Sequence, residues 1–198
     1  MSDQATQLDA IADRIKSREL AIDIAHSCLN PVPGEGDPAA DIMFVGEAPG
    51  AQEDREGRPF VGASGKFLGE MLELIGLQRE DVFITNIVKF RPPDNRDPSK
   101  EEIAACLPYL IEQIKVIRPK LVVFLGRHSM NVFFPDLKIS QAHGHVIKQT
   151  VKVGELTLAD QAFLPLYHPA AALYNGGMRA TLQEDFQKIP SILKKLSL

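Results

Sequence analysis

The stretch that decides the fold is residues 42–65, which read IMFVGEAPGAQEDREGRPFVGASG. The apolar run from Ile42 to Val45 predicts a buried strand, and the glycines and prolines that follow predict a loop. A helix is expected to begin near Ser64, where free backbone N–H groups would face the loop. A strand, a loop and a helix start around one cleft are typical of the pocket of a small α/β enzyme.

The remaining sequence repeats this alternation. Apolar residues predict strands at 42–46, 82–88, 121–125 and 163–167. Helical spacing predicts helices at 5–26, 64–76, 99–117, 128–134 and 178–195, with a loop at 29–40 and a hairpin within 138–162. Ser99 followed by Glu102 is the capping-box pattern of a helix N-terminus.

These elements predict an α/β fold, a single-domain three-layer α/β/α sandwich around a short, mainly parallel sheet. Within one compact unit, residues 1–30 are expected to form an N-terminal helix and residues 31–198 the main domain. Ligands bind beyond the carboxyl ends of parallel strands. Four residues fall at such ends and are expected around one crevice: Glu47, Asn86, Gly126 and His168.

Composition is that of an ordinary globular protein, with 198 residues, 44% of them hydrophobic and 24% charged. No apolar run reaches the ~18 residues that span a bilayer, and residues 1–4 do not begin a signal segment. We therefore expect a cytoplasmic protein without a membrane partner. Cys28 and Cys106 are far apart in sequence, which favours buried thiols in a reducing compartment over a disulfide.

The net charge is −4, so any contact with nucleic acid must be local. Basic residues do concentrate at Lys89, Arg91, Arg96 and Lys100, and Arg179 lies in a glycine-rich turn. The cluster is either a nucleic-acid contact or an ordinary solvated loop, and the sequence leaves both readings open.

Four side chains at or near strand ends carry chemistry: Glu47, Phe60, Asn86 and His168. Each alone has an ordinary alternative, as a surface acid, a core ring, a turn residue and a buried histidine. Together they could hold a planar heterocycle, since a ring can stack on it, an amide can read its edge and a histidine can meet an oxygen that becomes anionic. The other histidines show no ligand spacing, and we interpret them as structural or surface groups without a metal: His26, His128, His143 and His145.

Four ordered motifs resemble the uracil-DNA glycosylase superfamily, most closely its family 4. They are GEAPG at 46–50 with Glu53-Asp54 and GRPFVG at 57–62, TNIVK at 85–89 with RPP at 91–93, EEI at 101–103 with Cys106, and HPA at 168–170. The resemblance covers residues 32 to about 190 and implies the fold of a glycosylase domain.

The resemblance also implies a role for each pocket residue. Glu47 would position or activate the hydrolytic water and stabilise a cationic sugar, while Phe60 would stack on a flipped uracil. Asn86 would hydrogen-bond the O4 and N3 edge, and His168 would face O2. The backbone N–H groups around Gly46 and Ala48 would complete the pocket.

The expected partner is uracil-containing DNA, single- or double-stranded, bound by a monomer. By the resemblance, the loop after the His-Pro pair approaches the minor groove, which makes Leu173 or Tyr174 the candidate wedge. Further candidates for DNA contact are Ser64, Gly65, Arg91, Arg96 and Arg179.

One departure concerns the iron–sulfur cluster that the resemblance to family 4 implies, which takes four cysteines. Cys106 fits the fourth position and Cys28 the second, but Ala25 and Phe90 stand at the first and third. Two cysteines cannot hold a four-thiolate cluster. We therefore predict that the cluster is absent and that Phe90 and apolar neighbours such as Leu107 pack in its place.

The leading hypothesis is a monofunctional glycosylase of base-excision repair, which hydrolyses the N-glycosidic bond of uracil and leaves an abasic site. A related branch of the family that traps uracil-DNA covalently carries a basic, histidine-bearing insert after the strand at 82–88. The loop at 90–98 has no histidine, so the resemblance implies turnover rather than a covalent complex. Two alternatives stay open: a module that binds uracil or DNA without catalysis, and a glycosylase for other deaminated bases such as hypoxanthine.

Overall fold

Helices and strands alternate along the chain in the computed structural model, which describes residues 2–154, 156–173 and 175–197. The strands are β1 (Glu35–Gly36), β2 (Ile42–Gly46), β3 (Phe83–Asn86), β4 (Leu121–Leu125), β5 (Ile147–Val153) and β6 (Leu156–Leu166). The helices are α1 (Asp3–Lys16), α2 (Asp23–Ser27), α3 (Ala51–Glu56), α4 (Ala63–Leu74), α5 (Lys100–Ile117), α6 (Arg127–Phe133), α7 (Ile139–Ala142), α8 (Pro169–Leu173) and α9 (Gly176–Leu196).

The strands form one sheet in the order β1-β3-β2-β4-β6-β5. The four central strands are parallel, and β1 and β5 pair antiparallel at the two edges. Gly46 pairs with Asn86 across β2 and β3, so these two strands end at the same level. The prediction of a short, mainly parallel sheet is confirmed.

The central strands are buried on both faces, because successive side chains point to opposite sides of the sheet. In β2, Met43 and Val45 pack into a core with α1, α2, α5 and α6, whereas Ile42 and Phe44 pack into a core with α4 and α9. The predicted three-layer sandwich is therefore confirmed. Among the described residues, no helix is long and apolar enough to cross a membrane.

Two local predictions hold in detail. The strand predicted at 121–125 is β4, residue for residue. The Ser99 side chain accepts a hydrogen bond from the Glu102 N–H at 3.2 Å, and the Glu102 carboxylate accepts one from the Ser99 N–H at 2.7 Å. This reciprocal pair is the predicted capping box at the start of α5.

The prediction of a single N-terminal helix was wrong, because the segment forms α1 and α2 with a break between them. Arg18 has a left-handed backbone, with φ of 58°, directly after α1. Its guanidinium donates to the carbonyl oxygens of Ala25, Cys28 and Leu29. Ala25 lies in α2, and Cys28 and Leu29 follow this helix. The arginine just after the first helix therefore provides donors for carbonyl groups at the end of the second.

Other bounds also differ from the predictions. Residues 46–65 contain the short helix α3, whose polar sequence AQEDRE has no apolar repeat to reveal it. The third strand ends at Asn86 rather than at residue 88, although Ile87 and Val88 still donate to the carbonyls of Gly46 and Glu47. The last strand is longer than predicted, since β6 takes up residues assigned to the hairpin.

Candidate active site

A crevice of about 640 Å³ lies beyond the carboxyl ends of β2, β3, β4 and β6. The four residues expected at these ends do line it: Glu47, Asn86, Gly126 and His168. Phe60, Ser64 and Ala48 from the 46–65 stretch line it as well. The fold thus brings together the side chains that the sequence placed at separate strand ends.

The side chains of Phe60 and Asn86 pack closely around Gly46. A Cβ atom on Gly46 would lie 2.7 Å from the Cζ atom of Phe60 and would collide with the Oδ1 atom of Asn86. Phe60 is buried, and its backbone is left-handed with φ of 51°. Glycine at position 46 therefore lets the phenyl ring and the amide approach the same point.

An arginine clamp holds the Phe60 loop in this conformation. The Arg79 guanidinium donates to the Phe60 carbonyl at 2.9 Å and to the Pro59 carbonyl at 2.7 Å. Arg79 also pairs with Glu35 at 2.6 Å, and Glu35 pairs with Arg58 at 2.7 Å. Burial opposes ionisation of Glu35, but the hydrogen bonds from Arg58 and Arg79 outweigh it and lower the pKa of this carboxyl group.

The Asn86 side chain is 2% exposed and ends in the crevice. Among the described residues, none hydrogen-bonds its amide, so the amide is free to pair with a ligand. Its backbone is fixed from below by Lys89, whose Nζ atom donates to the Asn86 carbonyl, Thr85 Oγ1 and Gln113 Oε1 at 2.7 to 2.9 Å. Burial lowers the pKa of Lys89 to about 7, while three oxygen acceptors match the three donors of its ammonium form.

His168 presents a neutral ring to the crevice. Its Nδ1 atom accepts a hydrogen bond from the Ala170 N–H at 3.1 Å, so Nε2 carries the proton. Burial and, to a smaller extent, the nearby His128 lower the pKa of His168 to about 4. The ring centroid lies 5.8 Å from that of Phe60. At neutral pH the site therefore offers an uncharged N–H donor beside an aromatic ring.

Glu47 is the acidic group of the crevice, with a side chain that is 29% exposed. Burial raises its pKa, His128 and Arg127 act to lower it, and Asp97 acts to raise it. The Nδ1 atom of His128 lies 3.2 Å from the Glu47 Oε1 atom. A carboxylate in this position can stabilise positive charge or orient a water molecule.

His128, interpreted from the sequence as a structural or surface group, lines the crevice and faces Glu47. In the sequence, His128 does not have the spacing to acids or cysteines that is typical of metal ligands. The signal that could have found it is position, since His128 follows the end of β4 by three residues.

One group of donor atoms is small enough to suggest a metal site. The donors of Glu47, Asp97 and His128 lie within 4.8 Å of one another. However, the Arg127 Nε atom donates to the same histidine at 3.1 Å, and the Asp97 side chain is 73% exposed. The positive charge of a guanidinium beside the ring disfavours binding of a metal cation. We therefore interpret these residues as charged and polar neighbours of Glu47 rather than as metal ligands.

The residues predicted to contact DNA are more dispersed. Ser64 lines the crevice, whereas Gly65 is buried against the Phe60 carbonyl. Leu173 ends α8, and Tyr174 lies outside the described residues. Each arginine already has an acidic neighbour: Arg91 lies 3.8 Å from Asp54, Arg96 lies 2.6 Å from Glu102, and Arg179 lies 2.6 Å from Glu70.

Lys89 does not belong to the basic surface cluster that the sequence suggested. Its side chain is fully buried beneath Asn86, so it is unavailable to a phosphate. Arg91, Arg96 and Lys100 stay near the surface. Their contact with DNA remains a prediction.

Comparison with known proteins agrees with this geometry. The family model for the Uracil DNA glycosylase superfamily matches residues 33–194. A "Type-4 uracil-DNA glycosylase" of Sulfurisphaera tokodaii is 54% identical, over 81% of this chain and 73% of the relative. Proteins of the same name from Saccharolobus solfataricus and Thermotoga maritima are 46% and 38% identical, over 94% and 95% of this chain and 86% and 95% of their own lengths. The chain belongs to the uracil-DNA glycosylase superfamily.

Proposed function

We propose that this protein is a DNA glycosylase that hydrolyses the N-glycosidic bond of uracil and leaves an abasic site. The observation that carries the proposal is the crevice itself. Its lining combines a buried ring, a neutral imidazole donor, a carboxylate and an amide that has no hydrogen-bond partner among the described residues. Relatives named "Type-4 uracil-DNA glycosylase" at 38% to 54% identity support the same activity.

The side chains of Asn86 and Phe60 suit a uracil ring. An asparagine amide offers both an acceptor for N3–H and a donor for O4, and the Phe60 ring offers a stacking surface. When the bond to the sugar breaks, negative charge develops on the base. The Nε2–H group of His168 stabilises charge at O2 more in the transition state than in the ground state, which is the requirement for catalysis.

The Glu47 carboxylate suits the sugar. Bond cleavage leaves positive charge on the deoxyribose, and an ionised carboxylate stabilises it and orients the attacking water. The base must leave the stack to reach a crevice of this kind, so uracil is flipped out of DNA before the reaction. Ser64, Leu173, Arg91, Arg96 and Arg179 remain the proposed DNA contacts, whereas Gly65 packs against the Phe60 carbonyl.

A panel of oligonucleotides tests the activity. We expect the wild type to convert uracil in single-stranded DNA and in U·G and U·A pairs to abasic sites, detected by alkaline strand cleavage. Asn86→Asp should lower the rate by about 10²-fold, because a carboxylate cannot donate to O4. Asn131→Asp, an exposed change on α6, is the matched control.

Other outcomes of the panel select the alternatives. Tight binding of uracil-containing DNA without abasic product would identify a binding module. Equal rates on hypoxanthine and uracil would identify a broader glycosylase.

We also propose that the protein carries no iron–sulfur cluster. Ala25, Cys28, Phe90 and Cys106 share one apolar core, and Phe90 is 0% exposed. Burial raises the pKa of Cys28 and raises that of Cys106 to about 11, so both are thiols at neutral pH. A cluster of four thiolates does not fit this set of residues.

Metal analysis tests the cluster proposal. Protein purified without oxygen should contain no stoichiometric iron and should lack the absorption band at about 400 nm. The variant Ala25→Cys/Phe90→Cys, reconstituted with iron and sulfide, should gain that band. Wild type with about four irons per chain would overturn the proposal.

We further propose that the protein acts on uracil-containing DNA as a monomer in the cytoplasm. The side chains that the proposed chemistry uses all line one crevice of this chain: Glu47, Phe60, Asn86 and His168. Two buried thiols suit a reducing compartment.

A further inference from the structure

We propose that His128 is a positioning residue, which holds the Glu47 carboxylate towards the sugar through its Nδ1 edge while Arg127 fixes the ring. The inference rests on the proposed glycosylase function and assigns a new residue to the same site. It depends on the contacts among three side chains: Arg127, His128 and Glu47.

The hydrogen bond from Arg127 sets the tautomer of the histidine. The Arg127 Nε atom lies 3.1 Å from the His128 Nε2 atom. A guanidinium can only donate, so Nε2 must accept, and the proton of the neutral ring lies on Nδ1. That Nδ1 atom is the one 3.2 Å from the Glu47 Oε1 atom. The ring therefore points an N–H group at the carboxylate.

A hydrogen-bond donor beside Glu47 would keep this carboxyl group ionised and oriented. Among the described residues, no other side chain comes within ion-pairing distance of its carboxylate. Burial favours its neutral form, and a protonated carboxyl group cannot stabilise a cationic sugar. An N–H group that donates to the carboxylate opposes its protonation and restricts the side chain to one orientation. Correct orientation of a catalytic group raises the rate of the chemical step.

Charged and titratable groups surround His128 on several elements. Arg127 precedes it on α6, Asp97 lies 3.9 Å from its Nε2 atom, and Lys100 at the start of α5 lines a groove that His128 shares. His168, beyond β6, is neutral above about pH 4 and adds no charge there. Glu47 is the nearer of the two carboxylates, so removal of His128 should act mainly on Glu47.

The kinetic experiment compares His128→Ala and His128→Asn with wild type in single-turnover excision from pH 4.5 to 8.5. Activity needs ionised Glu47 and falls as the pH drops through its pKa. Loss of the N–H group raises that pKa, so the acid limb of the His128→Ala profile should move to higher pH. The maximal rate should fall about 10- to 100-fold with little change in KM.

The asparagine variant separates a positioning role from a packing role. His128→Asn keeps an N–H donor on the atom that follows Cγ, so it should recover most of the rate and of the acid limb. His26→Ala, on an exposed residue of α2, should match wild type. An unshifted acid limb in His128→Ala, or a loss confined to KM, would overturn the inference.

A second readout does not depend on catalysis. Carbon NMR of the Glu47 side-chain carboxyl group, assigned by its loss in Glu47→Gln, should titrate at higher pH in His128→Ala than in wild type. If wild type releases no uracil but the titration moves, the proposed function fails and the His128 contact stands. If uracil is released and the titration does not move, the inference about His128 fails alone.

Discussion

Replacing Glu47 with glutamine is expected to slow uracil excision by about 10³-fold. Glutamine keeps the shape and one oxygen of the side chain, but it carries no charge to stabilise the cationic sugar and cannot take a proton from water. The carboxylate faces a crevice rather than a packed core, so the fold should tolerate the change. The measurement is single-turnover release of uracil from an oligonucleotide, with DNA affinity followed separately.

A matched control for this variant is Glu56→Gln, an exposed residue at the end of α3. It removes the same charge from the same segment but lies outside the crevice, so the excision rate should be unchanged. The assignment of Glu47 would be contradicted if Glu47→Gln released uracil at the wild-type rate. An equal loss in both variants would point to net charge rather than to the site.

Replacing Gly46 with alanine is expected to lower kcat/KM by about 10³-fold, because one methyl group disturbs two parts of the site at once. The new Cβ atom would lie 2.7 Å from the Phe60 ring and would meet the Asn86 amide oxygen. The backbone of β2 is paired on both sides, so the ring and the amide must move instead. Overpacking should also lower the free energy of unfolding by about 1 to 3 kcal/mol.

Gly69→Ala on α4 is the matched control for this second variant. A Cβ atom there meets nothing within 4 Å, and the backbone is helical, so alanine should raise the free energy of unfolding by about 0.5 to 1 kcal/mol. Its kcat/KM should equal that of wild type. Full activity in Gly46→Ala would show that uracil does not use the surface formed by Phe60 and Asn86.

The sequence could predict the parts of the fold that depend on local pattern. The apolar run of β4 and the Ser99 capping box are complete signals within a few residues, and both appear where predicted. The convergence of Asn86 and His168 follows from a general rule about parallel strands. That rule needs only the strand ends, and the sequence gives those to within two residues.

Features that depend on distant partners could not be predicted. In the sequence, Lys89 resembles a basic loop residue. In the structure it donates a hydrogen bond to Gln113, which lies on another element. The clamp on Phe60 likewise joins Arg79 to a loop that lies 19 residues earlier in sequence. His128 shows no metal-ligand spacing, and its contact with Glu47 joins two segments that lie far apart in the sequence.

The neutral ring of His168 has a consequence for the end of the reaction cycle. Uracil leaves the sugar as an anion, and a protonated imidazole would hold that anion as an ion pair in surroundings of low polarity, at a strength of several kcal/mol. Because the pKa of His168 is about 4, the ring meets the anion only as a hydrogen-bond donor. The same group that favours departure of the base from the sugar therefore does not hold the released anion as an ion pair afterwards.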